Sequence, residues 1–184
     1  MSVETDPQPA SRSESSAAPS TPPAAPPVAP SADASRVTAL VRRHLAIGWW
    51  GLLVFLTLGI VIEALHGFKV RWYSDVGMEL RQAMMRLTHA HGGMLAIVHL
   101  LFAGTLTWMP HLPPRSMTVA SRCLTIALLL IPGGFCLGGF FLLRTESGVE
   151  AEPGVGVFLV PIGAVFLVVG IVSTALAQRS IGRD

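Results

Sequence analysis

Thr88-His89-Ala90-His91-Gly92-Gly93-Met94-Leu95-Ala96-Ile97-Val98-His99 is the stretch that decides the fold. It puts three imidazoles into an apolar run, about 87–109, that otherwise suits lipid. A helix of about 20 apolar residues crosses a hydrocarbon core of about 30 Å. Ionisable or metal-liganding groups inside such a helix are costly, so they face a protein interior and mark function. Three further runs of the same kind lie at about 45–66, 123–143 and 154–177. The expected fold class is therefore all-α, a four-span transmembrane helix bundle in a lipid bilayer.

The composition agrees. The 184 residues are 51% hydrophobic and 13% charged, with a mean hydropathy of +0.58. Soluble domains carry about 25% charged residues. Residues 1–36 are Ala, Pro and Ser with scattered charges, ending in Pro22-Pro23-Ala24-Ala25-Pro26-Pro27-Val28-Ala29-Pro30. Such a segment buries too little apolar surface to offset its ordering entropy, so a disordered N-terminal tail is expected, followed by a membrane domain over 37–184. No basic-then-apolar region occupies residues 1–30, so the first span is expected to act as an uncleaved anchor in a bacterial-type inner or plasma membrane.

Charge fixes an expected orientation. Arg36, Arg42, Arg43, Arg115, Arg122, Arg179 and Arg183 collect on the side of the termini. Lys69, Arg71, Arg81, Arg86 and Arg144 collect on the other, diluted by Asp75, Glu79, Glu146, Glu150 and Glu152. Basic flanks favour the cytoplasm, so both termini are expected there. Trp49-Trp50, Trp72-Tyr73 and Trp108 fall at three successive interfaces, as an aromatic belt requires. A formal net charge of +2, with no basic run interleaved with aromatics, gives no footprint for nucleic acid.

Local signals refine the layout. Ser74-Asp75 is a good helix start, and Met78, Met85 and His89 share one face. The second span is thus expected to begin near residue 75 and run to Trp108, with Pro110 stopping it before His111. Gly134, Gly138 and Gly139 in the third span, and Gly92, Gly93, Ala96 and Gly104 in the second, mark close helix approach. Glycines beside His91 also suggest room for a flat cofactor. Pro132 is expected to kink the third span. Cys123 and Cys136 lie about 20 Å apart along one helix, beyond disulfide reach, and read as small core residues.

All six histidines fall within or beside the first two spans. His44 and His111 are expected as interfacial polar residues at the inner face. Glu63 and His66, at i and i+3, share one side of the first helix. If the first two spans are antiparallel neighbours, Glu63, His66 and either His89 or His91 converge near the outer face. His89 and His91 are about 200° apart around a helix, so one is expected as a ligand and the other at solvent or an interface. His99 lies deeper, about 12 Å along the axis from His91, so one ion cannot take both.

His44-Leu45-Ala46-Ile47-Gly48, then Ala90-His91-Gly92 with Met94, then Trp108-Met109-Pro110, resemble the first two helices of the haem-copper oxidase catalytic subunit, subunit I. The resemblance covers about residues 42–110. It implies that His91 is a haem ligand near the outer face. That family has about a dozen spans, with its other axial histidine and its copper ligands on later helices, whereas spans three and four here hold no histidine. The second axial ligand would then come from His66, His99, Met85 or another chain, and oxygen reduction by this chain alone is not expected.

Three readings follow. In the first, the chain binds haem b through His91, His89, His66 or His99, with Arg86 near a propionate, and serves respiratory electron transfer. In the second, a copper or other metal site at the outer face uses His91, His89, His66 and Glu63, with the soft sulfurs of Met78, Met84, Met85 and Met94. In the third, the chain is a non-catalytic four-span structural or assembly subunit. A homo-oligomer or membership of a larger membrane complex suits all three. No serine or cysteine nucleophile with a base, phosphate-binding glycine loop or HExxH motif is present, so an enzyme acting alone is disfavoured.

Overall fold

The computed structural model describes residues 32–75, 77–109, 112–144 and 151–181. The expected tail over 1–31, and the expected places of Pro110, His111, Glu146, Glu150 and Arg183, lie outside the described residues. Four long helices cross the molecule: α1 (Ala32–Gly67), α3 (Glu79–Trp108), α4 (Pro114–Phe140) and α5 (Leu159–Ile181). A single turn, α2 (Arg71–Ser74), lies between α1 and α3. A two-residue antiparallel pair, β1 (Leu143–Arg144) with β2 (Ala151–Glu152), and a 3-10 turn (Val155–Phe158) join α4 to α5. Each long helix is apolar and long enough to cross a bilayer. The protein is a four-helix integral membrane protein.

The first helix starts earlier than composition suggested. Residues 32–36, read as tail, belong to α1, which has 36 residues and so a length of about 54 Å. The reason is a stripe at helical spacing: Val37, Leu40 and Val41 lie against the core cluster around Phe102, Leu106 and Ala120. Arg36 also donates to Thr118 Oγ1 of α4 at 3.3 Å. At its other end, Lys69 adopts φ 50°, and the Val70 N–H bonds the Leu65 carbonyl at 3.0 Å, closing the helix.

The expected unbroken helix from residue 75 to Trp108 is broken. Gly77 has φ +85°, a left-handed conformation that no helix continues through, so α3 starts at Glu79. Arg81 fastens this corner, donating Nη1 to the Trp72 carbonyl at 2.7 Å and Nε to the Gly139 carbonyl at 3.2 Å. Its guanidinium also lies 4.5 Å from the centre of the Trp72 ring.

The helices form an open row in the order α1, α3, α4, α5, with extended contact only between neighbours. Burial shows it: 39% and 44% of the apolar windows of α3 and α4 are buried, against 11% and 17% for α1 and α5. Small residues set the close approaches. A side chain on Gly92 would strike the Phe55 ring of α1, one on Gly134 would meet Val160 at 2.9 Å, and one on Gly139 would meet Met84 at 2.8 Å. Gly93 and Gly104 face open space. The room at Gly92 is thus taken by Phe55 and does not lie open beside His91. Helix α4 runs through Pro132 to Phe140, and Cys123 and Cys136 are free thiols within it.

Candidate functional site

At the end of the helices opposite the first residues of α1, α1 and α3 frame a groove. Its walls are Leu56, Gly59, Ile60, Ile62 and Glu63 from α1 and Arg86 and His89 from α3, enclosing about 410 Å³. Arg86 and His89 are one helical turn apart and so share this wall. His89 Nδ1 is 2.7 Å from the Phe55 carbonyl. A carbonyl only accepts, so Nδ1 carries the hydrogen, and in the neutral ring Nε2 keeps its lone pair. Gly59 permits this approach: a Cβ there would sit 2.5 Å from His89 Cε1 and push the ring away.

The expected convergence is therefore met in part. Glu63 and His89 share the groove, with Arg86. His66 does not join them; it is exposed at the last turn of α1, and its ring stands edge-on to Tyr73 with centroids 6.5 Å apart. His91 points the other way, as the angle around the helix requires. Its Nδ1 donates to the Leu87 carbonyl at 3.0 Å, and its ring rests 5.0 Å from Phe135 of α4.

The methionines scatter. Met85 is buried with Ile62 and Tyr73, Met84 lies against Gly139 of α4, and Met94 is exposed. Among the described residues, no group of three or more His, Cys, Asp or Glu side chains is close enough to hold a metal ion. One polar atom in this region is buried without a hydrogen-bond partner, the hydroxyl of Tyr73.

A second constellation lies nearer the terminal end, and sequence reasoning missed it. His44, expected as an interfacial residue, is 0% exposed, as is His99, and Ser121 is 1% exposed. His44 Nδ1 lies 2.6 Å from His99 Nδ1, and His44 Nε2 lies 2.8 Å from Ser121 Oγ. His99 Nε2 reaches the Leu124 carbonyl at 3.3 Å. The two rings stack at 4.7 Å with 19° between planes, and Phe102 meets His44 edge-on. The correction has a cause. His44 continues the Val37, Leu40, Val41 stripe, so the early start of α1 turns it inward. The usable signal was depth: in antiparallel spans, the start of the first and the latter half of the second lie at one level.

No family model, curated protein or solved structure matches the chain. What it does must be argued from these two sites.

Proposed function

We propose that the protein is a haem-b-binding membrane subunit linked to respiratory electron transfer, with the cofactor in the groove between α1 and α3. The observation that carries this reading is the His89 tautomer. Histidines that ligate metals commonly give their other N–H to a backbone carbonyl, which orients the ring and raises its basicity. His89 does this toward Phe55, with its ring seated against Gly59 on the wall of the groove. The groove volume falls in the range of about 300–1,000 Å³ usual for ligand sites.

In this reading His89 would hold the haem iron, and Arg86 would face a propionate. Glu63, on the facing wall, adds negative charge that favours the more oxidised state. Haem b, when bound, supplies one-electron chemistry; the chain binds, orients and tunes. His91, which the resemblance to subunit I would make the ligand, is the second candidate, with its Nε2 likewise left free by the Leu87 bond. A partner chain, either a second copy or another subunit of a larger complex, would complete the ligand set, since His66 and His99 are turned elsewhere. The copper alternative has less support, because the sulfurs do not gather around His89.

We read both termini as cytoplasmic and the membrane as the bacterial-type inner or plasma membrane. Arg36, Arg42 and Arg43 on α1 and Arg115 and Arg122 on α4 are all exposed at that one end.

The test is a dithionite-reduced minus oxidised visible spectrum of the purified full chain from haem-replete cells. A b-type α-band that disappears in His89→Ala is the expected result. A flat spectrum for the wild-type chain would overturn the haem reading.

A further inference from the structure

Helices α3 and α5 both pack on α4 and make no extended contact with each other, so a groove of about 260 Å³ is left between them. It shares no residue with the groove at His89. Its floor is the buried Leu124 of α4, and Leu101, Phe102 and Ile171 give it apolar walls. No charged side chain lines it.

The polar lining is gathered toward one end. Thr105 and Gln178 lie in the last turn of α3 and of α5, close to Trp108 and Ile181 where these helices finish. Val98 and Ile171, on the same two walls, lie about 10 Å deeper along the helix axes. Trp108 is exposed just past Thr105, at the level where a tryptophan meets headgroups. The hydroxyls of Thr105 and Thr174 donate to the Leu101 and Gly170 carbonyls of their own helices. The donors at the mouth are therefore the Gln178 amide and the adjacent Arg179.

Charge at this end is one-sided. Arg115 and Arg122 of α4 and Arg179 of α5 are exposed there, and none has an ion-pair partner among the described residues. Neither α4 nor α5 contains a carboxylate, and Glu79 of α3 is at the opposite end. Asp33, in the first turn of α1, shares its own helix with Arg36, Arg42 and Arg43. Helix ends carry about half a unit charge each, too little to cancel three arginines. Such charges act on a headgroup within about 10 Å.

We propose that the groove between α3 and α5 binds an anionic phospholipid, with one acyl chain against Leu124 and the phosphate at Gln178 and Arg179. An ionised phosphate only accepts hydrogen bonds, which matches the donors at the mouth. A zwitterionic lipid has the same chain and phosphate, but its ammonium group is repelled by the arginines. A soluble anion finds nothing to hold it in an apolar groove. A second copy seated groove to groove would set these arginines against their own kind.

The experiment is native mass spectrometry of the full chain released from nanodiscs of equal parts phosphatidylglycerol and phosphatidylcholine. One phosphatidylglycerol should stay bound per chain, in preference to phosphatidylcholine. Arg179→Ala should lower that preference about five-fold, as expected for one basic residue near a charged headgroup. Ala175→Trp fills the groove wall and should abolish retention. Ala164→Trp, exposed about three turns away on the same face of α5, should retain lipid as the wild type does. No bound lipid, equal retention of the two lipids, a lipid-free dimer, or the same result for both tryptophan variants would each overturn the proposal. His89→Ala should leave retention unchanged, so the outcome is independent of the haem reading.

Discussion

The groove at His89 and the His44–His99 pair are built from the same residue type on the same two helices, yet they are opposites. At the groove, His89 uses one ring nitrogen on the protein, its ring lying over Gly59 on a wall of the open groove. At the His44–His99 pair all four ring nitrogens are engaged and both rings are buried. An imidazole with a spare lone pair and room beside it is suited to a ligand. One with both nitrogens committed is suited to holding helices together.

The largest expected effect separates the two histidines of the His-Ala-His element. His89→Ala should abolish a b-type band altogether, while His91→Ala should keep it, since His91 faces Phe135 and not the groove. The reverse pattern would restore the ligand that the resemblance to subunit I implies. Next comes stability at the inner pair. His99→Leu strands a ring nitrogen of His44, at a cost of about 1–3 kcal/mol for a buried unpaired group, while the Leu124 carbonyl keeps its place in the α4 helix. Unfolding in detergent should show that loss, and the double variant with His44→Leu should cost less than the sum of the single ones. Equal additivity would mean that the two rings are not partners.

Smaller effects sharpen the groove. Gly59→Ala puts a methyl 2.5 Å from His89 Cε1, and overpacking of this kind costs about 1–3 kcal/mol. Its b-type band should weaken or shift. The smallest is His66→Ala. An exposed ring away from the groove should alter stability by less than about 0.5 kcal/mol and leave the spectrum unchanged. A lost band in His66→Ala would show that this side chain swings into the groove.

The spans were legible because lipid demands long apolar runs, and no soluble alternative uses four of them. The opposed directions of His89 and His91 were legible too, since the angle around a helix follows from spacing alone. The start of α1 was not, because Ala32 to Arg36 look like the tail in composition, and only contact between Val37 and the core shows them to be helical. The break before α3 turned on one backbone angle at Gly77, which spacing does not encode. The His44–His99–Ser121 constellation needed three helices in register at once. Ser121 in particular is an ordinary small residue in a membrane helix until its neighbours are known.

Seen along the seam of α1 and α3, the polar contacts act as dowels. One joins His89 to Phe55 and the other joins His99 to His44, about 15 Å apart along α3. A single pin between two smooth greasy rods lets them pivot, and two prevent both pivoting and sliding. A slip of one helical turn would shear both pins together, leaving polar groups stranded in hydrocarbon. The inner pin also runs on into α4, through Ser121 and the Leu124 carbonyl, so the seam is a rigid plate to which the third long helix is fixed as well.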